Sequence, residues 1–186
     1  MIEGCTERLE LRPLTLDDAP AIQREFPHWP IVRYLLKRVP WPYPPDGAET
    51  FCREIALPQI ERNLAWYWTL RLKSEPEAVI GMLNLVPGEE NNRGFWIGQS
   101  WQGLGLMSEA CAWANDYWFF RLAFPVLRVS KAAVNLASRR LSIKQGMRVV
   151  GVTQQDYIAG RLPTEIWELT SAEWRAWKAR SGVASV

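Results

Sequence analysis

Histidine is nearly absent from this chain: there is one, His28, in 186 residues. Cysteine is scarce as well, with Cys5, Cys52 and Cys111 forming no CxxC pair and no Cys/His spacing. A metal site or a disulfide framework therefore has nothing to build on, and the thiols read as buried or incidental. No run of like charges forms a basic arm, and a formal net charge of +2 is too mild to imply a nucleic-acid groove. No segment approaches the roughly 18 apolar residues of a membrane span. The start, MIEGCTERLELRP, lacks the apolar core of a signal peptide. Internal repeats, low-complexity tracts and linkers are missing too. These absences leave one cytoplasmic domain over 1–186, long enough to bury a sizeable core, with no nucleic-acid or membrane partner.

What is present alternates between two periods. Leu9, Leu11 and Pro13 alternate with Arg8, Glu10 and Arg12, a half-exposed strand that ends at the proline. Thr15 and Asp18 approximate a capping box that opens a helix through about Phe26. A second helical pattern, WPIVRYLLK, leads into VPWPYPPDG, where four prolines and a glycine exclude regular structure. Asp46 and Glu49 can cap a helix carrying Phe51, Cys52 and Ile55, which Pro58 ends or kinks. From Leu64 the period becomes two: LAWYWTLRLK, AVIGMLNLV and RGFWIG read as a three-strand meander. An apolar helix from about Leu106 to Phe120 follows, then a strand (PVLRVSKAAV) and a helix (NLASRRLSIKQG) closed by Gly146. Two further strands (MRVVGVTQQDYI, PTEIWELT) and a terminal helix (SAEWRAWKAR) complete the order. The fold class is α+β, or mixed α/β, around a largely antiparallel central sheet of about seven strands flanked by helices.

The stretch WQGLGLMSEACAWA sets two glycines at the mouth of a helix. It is not a P-loop, which needs a lysine and then Ser or Thr after its last glycine. Nor is it a Rossmann turn, whose third glycine is Ser108 here and whose ribose-binding acid is missing. Two readings remain open from the residues alone: a phosphate turn that uses free helix amides, or a plain strand-to-helix turn.

Taken in order, ERLELRPL, GFWIG with WQGLGLMSEA, and NLASRRLSIKQGM resemble the GNAT acetyltransferase superfamily, in particular its RimJ/RimL-like branch. The resemblance runs from about Thr6 to Trp167. It implies a GNAT-like fold and an acetyl-CoA-dependent N-acetyltransferase that acts on a primary amine, as a monomer or homodimer. The amine would be a protein N-terminus or a small molecule. It implies that the amides of Gln102, Gly103, Leu104, Gly105, Leu106, Met107 and Ser108 bind the pyrophosphate. Ile97 and its strand neighbours would pair with the pantetheine, Asn135 would contact the same arm, and Arg140 would approach the nucleotide phosphates. For Asn135 and Ser138 the structural alternative is a helix N-cap with a helper; for Arg139, Arg140 and Lys144 it is a solvated helix face.

Acetyl transfer to an amine needs a neutral amine, stabilisation of the carbonyl oxygen and a proton for the departing thiolate. Strand amides near Trp96 to Gly98 can serve the second need. Many relatives carry a glutamate two residues before the glycine that matches Gly94; this chain has Asn92, which cannot act as a base. Asp156 is the substitute, with a turn aspartate as its alternative. Ser138 is the candidate for the thiolate's proton, with Tyr157 as a rival that strand alternation aims away from Asp156. His28, between Pro27 and Trp29, reads as a surface or packing residue. Trp29, Tyr34, Trp41 and Tyr43 are candidates for an acceptor groove, although core packing explains most of the eleven tryptophans. The missing acid at Asn92 also leaves room for a second reading, a non-catalytic regulatory domain that binds acetyl-CoA.

Overall fold

The computed structural model describes residues 2–181. Its strands form two sheets. The first has five strands in sequence order, all antiparallel: β1 (Gly4–Cys5), β2 (Leu9–Pro13), β3 (Trp66–Leu72), β4 (Gly81–Leu85) and β5 (Arg93–Ile97). The second is a three-stranded sheet in which β8 (Gly160–Thr170) lies between β6 (Val126–Ala132) and β7 (Arg148–Tyr157).

Strand alternation gives the first sheet two buried faces. Trp68 and Leu70 of β3 face a core shared with Leu9, Leu11 and the helix α5 (Leu106–Asp116). Tyr67, Met82 and Trp96 face a second core, covered by α1 (Ala19–Glu25), α2 (Trp29–Val32) and the helical run from α3 (Gly47–Thr50) to α4 (Leu57–Glu61). A sheet buried on both faces tolerates tryptophans on either side, and this explains most of their number. The first core continues into the second sheet through Leu127, Val129, Trp167 and Leu169. The last helix, α7 (Ser171–Ser181), closes it with Trp174, whose indole N–H donates to Asp116 at 2.8 Å.

Several expectations change in detail. One sheet of about seven strands becomes eight strands in two sheets, because the β5–β6 ladder stops almost where it begins. The added strand, Gly4–Cys5, is too short to show a period. The helix expected over WPIVRYLLK is one turn long. Its second half pairs with the β7–β8 tip instead, through Ile158 N–H to Leu35 O at 3.0 Å and Ala159 N–H to Arg33 O at 3.0 Å. Pro58 does not end its helix: Phe51–Ala56 widens to π geometry, which gives the proline ring room, and α4 resumes beyond it. β8 starts three residues before the expected Pro163. Pro163 O accepts from Ala133 N–H at 2.8 Å, so its ring nitrogen also faces the side where β6 has already ended. No ladder bond is lost there. Thr15 does open the first helix, its N–H donating to the Asp18 carboxylate at 2.8 Å.

Candidate active site

The site begins where the two sheets part. Asn92, 2 % exposed, joins them: its N–H donates to Arg128 O and its side-chain oxygen accepts from Arg128 N–H, both at 2.7 Å. Asn91 accepts from Ser130 N–H at 2.8 Å. Past this joint β5 has a free edge. Gly98 N–H donates to Ile80 O at 2.8 Å, so antiparallel alternation turns the peptide groups of Gly94 and Trp96 toward β4 as well. Those of Phe95 and Ile97 face outward. Of the expected amides from Trp96 to Gly98, the alternation thus leaves one, that of Ile97, on the open edge. The Ile97 carbonyl is held by the side chain of Gln102 at 3.1 Å.

The glycine turn follows directly. Gly103 and Gly105 have φ of +77° and +81°, which only glycine adopts without strain. Gln102 N–H is bound to Gln99 O at 3.2 Å, and the next recorded backbone donor is Glu109, to Gly105 O at 3.2 Å. The amides of Gly103 through Ser108 lie between, with no partner among the described residues, at the positive end of an eleven-residue helix. A Cβ at Gly103 would meet nothing within 4 Å, so the turn borders open space. That arrangement can receive an anion on backbone donors alone. Gln102 is the exception among the expected amide donors: its N–H closes the preceding 3₁₀ turn, and its side chain fixes the turn to the strand.

Arg8 and Glu109 hold this turn from behind, a role that alternation along β2 could not reveal. Arg8 donates from Nε and from its backbone N–H to Glu109, each at 2.8 Å, and from Nη1 to Leu104 O at 3.0 Å. Glu109 also accepts from the Thr6 hydroxyl. Partial burial pushes the Glu109 carboxyl upward, but the hydrogen bonds from Thr6 and Arg8 outweigh it and leave the group below its ordinary value.

The second element is the start of α6 (Leu136–Lys144). Asn135 is its N-cap, accepting from Ser138 N–H at 3.2 Å. The Ser138 carbonyl takes a hydrogen bond from Lys131 Nζ at 3.1 Å, while its hydroxyl has no partner among the described residues. Lys131 is buried and also donates to Ser142 Oγ. Burial, then the nearby Arg93 cation, lowers its ammonium to about 7. Arg140 is exposed and makes no ion pair among the described residues, whereas its neighbour Arg139 binds Glu165 at 2.8 Å.

The acceptor-side candidates divide. Trp29 and Trp41 are exposed and adjacent, with ring centroids 5.8 Å apart. Tyr43 packs edge-on against Phe26, and burial, followed by Cys52, pushes its hydroxyl up to about 12. Tyr34 lies under the Arg33 guanidinium. The 33–37 segment meets the β7–β8 tip, where Lys37 N–H donates to Asp156 O at 2.9 Å and Leu36 bridges Tyr157. Tyr157 is buried with its hydroxyl 2.9 Å from Thr164 Oγ1. Asp156 is exposed and has the parity of Val152, whose β8 partner Glu165 reaches Arg139 on α6. Its carboxylate therefore lies on the α6 side, away from Tyr157. His28 caps α2 and lies 3.0 Å from Arg24 O, so it has a local structural task. Cys52 and Cys111 are buried free thiols, and Cys5 is an exposed one.

A strand edge that opens beside a glycine turn at a helix N-terminus suits a ligand with a phosphate end and an extended amide arm, and comparison with known proteins gives the class. The family model described as acetyltransferase (GNAT) domain matches residues 8–148, so the chain belongs to the GNAT acetyltransferase family. Members of that family use acetyl-CoA. No curated protein matches the sequence. Among solved structures, a ribosomal-protein-S5-alanine acetyltransferase from Vibrio fischeri superposes with a TM-score of 0.78 at 17% identity, over 94% of this chain and 99% of that one. Mycobacterium smegmatis RimJ in complex with CoA-disulfide gives 0.80 at 16% identity, over 97% and 94%. RimL, a ribosomal L7/L12 alpha-N-protein acetyltransferase in complex with coenzyme A, gives 0.75 at 17%, over 90% and 96%. At these identities the likeness is one of fold.

Proposed function

We propose that residues 1–186 form one acetyltransferase domain that moves the acetyl group of acetyl-CoA to a primary amine, a protein N-terminal amine or a small-molecule amine, in one direct transfer. The observation that carries this reading is the row of amides from Gly103 to Ser108 that have no partner among the described residues, next to a strand edge where the outward Phe95 peptide groups and the Ile97 N–H are free among those residues and only the Ile97 carbonyl is taken, by Gln102. Acetyl-CoA fits that arrangement in kind: a pyrophosphate needs clustered donors, and a pantetheine amide needs an extended edge. When bound, it supplies an activated thioester.

The chain's own groups then divide the work. The amides of the turn bind the phosphates, and Arg8 with Glu109 keeps the turn in shape. Phe95 and Ile97 offer the pairing edge, and the outward Ile97 N–H suits the developing charge on an acyl oxygen. Asn135 orders the first turn of α6, from which the free Ser138 hydroxyl donates its proton to a leaving sulfur. Arg140, exposed and without an ion pair, is available to an outer phosphate. Trp29 and Trp41 form an apolar rim for the acceptor. The setting of this reading is the cytoplasm.

Calorimetry with acetyl-CoA, followed by thiol release on a panel of amines, tests the proposal. Binding without turnover on any acceptor would support the regulatory reading instead.

A further inference from the structure

Resting on that acetyltransferase reading, we propose that Glu25 receives the acceptor's ammonium group and takes its proton. Glu25 is the last residue of α1, which packs on the face of β5 that carries Trp96. One carboxylate oxygen is held by Arg24 Nε at 2.9 Å. The other lies 3.3 Å from the point a Cβ on Gly98 would occupy, with the Trp101 ring 2.8 Å from the same point. Gly98 is buried and follows the last residue of β5, directly after the outward Ile97 peptide and before the glycine turn. A side chain there would strike the indole and crowd the carboxylate, so the glycine is what lets Trp101 and Glu25 close on the end of the strand beside the Ile97 peptide.

The rest of that face carries polar atoms that lack partners. Trp96 is 6 % exposed and its indole N–H is buried without an acceptor. Ser130 Oγ and Gln155 Oε1 are buried and unpartnered too. Their neighbours Val129 and Glu165 fix the opposite parity as the α5 and α6 side, so both atoms belong to the face of Tyr157 and the 33–37 segment. Buried polar atoms left without partners cost stability, which is expected where a polar substrate completes them. Asp156 stands on the other face. Arg24 pairs with Glu25, and the His28 ring lies 3.0 Å from the Arg24 carbonyl; from β5 and the turn, Gly98 and the Trp101 ring lie beside the carboxylate.

The step balances with groups already named. A proton passes from the ammonium nitrogen to Glu25 and on to solvent, the nitrogen lone pair forms the bond to the acetyl carbon, the now cationic nitrogen gives its second proton to the emptied Glu25 carboxylate, and the carbon–sulfur bond breaks to leave the amide. The sulfur keeps that electron pair and takes the Ser138 proton, which solvent restores.

Glu25→Gln tests this, with kcat/KM for a peptide amine measured from pH 6.5 to 9.5 and Asp156→Asn run in parallel. We expect Glu25→Gln to lose about tenfold or more at pH 7, to recover as the amine becomes neutral by itself, and to keep the KM for acetyl-CoA. Glu25→Asp should restore part of the loss, and Asp156→Asn should behave as wild type. A Glu25→Gln enzyme equal to wild type across pH overturns the proposal, as does a pH-independent loss that tracks the folded fraction. So does a loss that appears in Asp156→Asn instead. Calorimetric binding of the amine to CoA-loaded protein provides a readout without turnover: the neutral variant must weaken it, and a wild type that binds no amine also overturns the proposal. Failure of acetyl-CoA binding itself would instead sink the acetyltransferase reading.

Discussion

The side-chain oxygen of Asn92 accepts the backbone N–H of Arg128 at 2.7 Å, and there the two sheets of this protein stop pairing. The same amide donates from Nδ2 to Val86 O and Gly88 O at 3.2 and 2.9 Å. Asn92 is thus a joint, with every polar atom engaged. That is a physical reason for asparagine where the family resemblance leads one to expect glutamate: a carboxylate cannot donate to two carbonyls. Asn92→Asp is expected to destabilise the fold by about 1–3 kcal/mol through two lost donors and to bring no gain in turnover. Urea unfolding midpoints measure the first and steady-state rates the second.

Gly105→Glu should abolish acetyl-CoA binding and leave the fold in place. The site is exposed, so the positive φ alone costs about 1 kcal/mol; a Cβ there lies 3.5 Å from Arg8 Nη2, so the added carboxylate draws Arg8 off its bonds to Glu109 and Leu104 O and brings a negative charge to the anion-binding turn. Calorimetry on a variant with wild-type circular dichroism is the check; unchanged affinity removes the turn from the cofactor site.

Much of this was legible in the chain. Period two from Trp66 to Leu72, the Thr15 and Asp18 pair and the glycines before Leu106 each report local geometry, and local geometry is what sequence patterns encode. What escaped was set by tertiary partners. The Arg8–Glu109 clamp spans a hundred residues of chain and shows no period. The loss of helix after Val32 follows from pairing with the β7–β8 tip, which overrides a sound helical pattern. Glu25 looks like any exposed helix end until α1 is seen against Gly98. The facing of Asp156 toward α6 needed the β7–β8 register, not only alternation.

Ser138→Ala and Asn135→Ala separate chemistry from capping. Asn135→Ala removes the acceptor for Ser138 N–H and should cost about 1 kcal/mol of stability. Ser138→Ala leaves that bond intact, so it should lower kcat with little change in stability or in the KM for acetyl-CoA. Equal turnover per folded molecule in wild type and Ser138→Ala would remove the hydroxyl from the reaction.

Lys131 makes stability depend on pH in a defined direction. Its folded value is near 7, below the ordinary 10.5, because burial and Arg93 oppose the charge. Between those values the unfolded chain holds a proton that the folded chain lacks, so stability rises as pH climbs from about 7 toward 10.5. Lys131→Met should lose that rise. Urea midpoints at pH 7 and pH 9.5 for both proteins decide the matter, and equal slopes would show that the ammonium is charged in the folded state.

The central claim is acetyl transfer to an amine, and thiol release from acetyl-CoA measures it most directly. With N-terminal peptides, polyamines and aminoglycosides offered in parallel, at least one class should release thiol above the hydrolytic background and gain one acetyl group by mass. A protein that binds acetyl-CoA yet releases no thiol with any of the three would contradict the account.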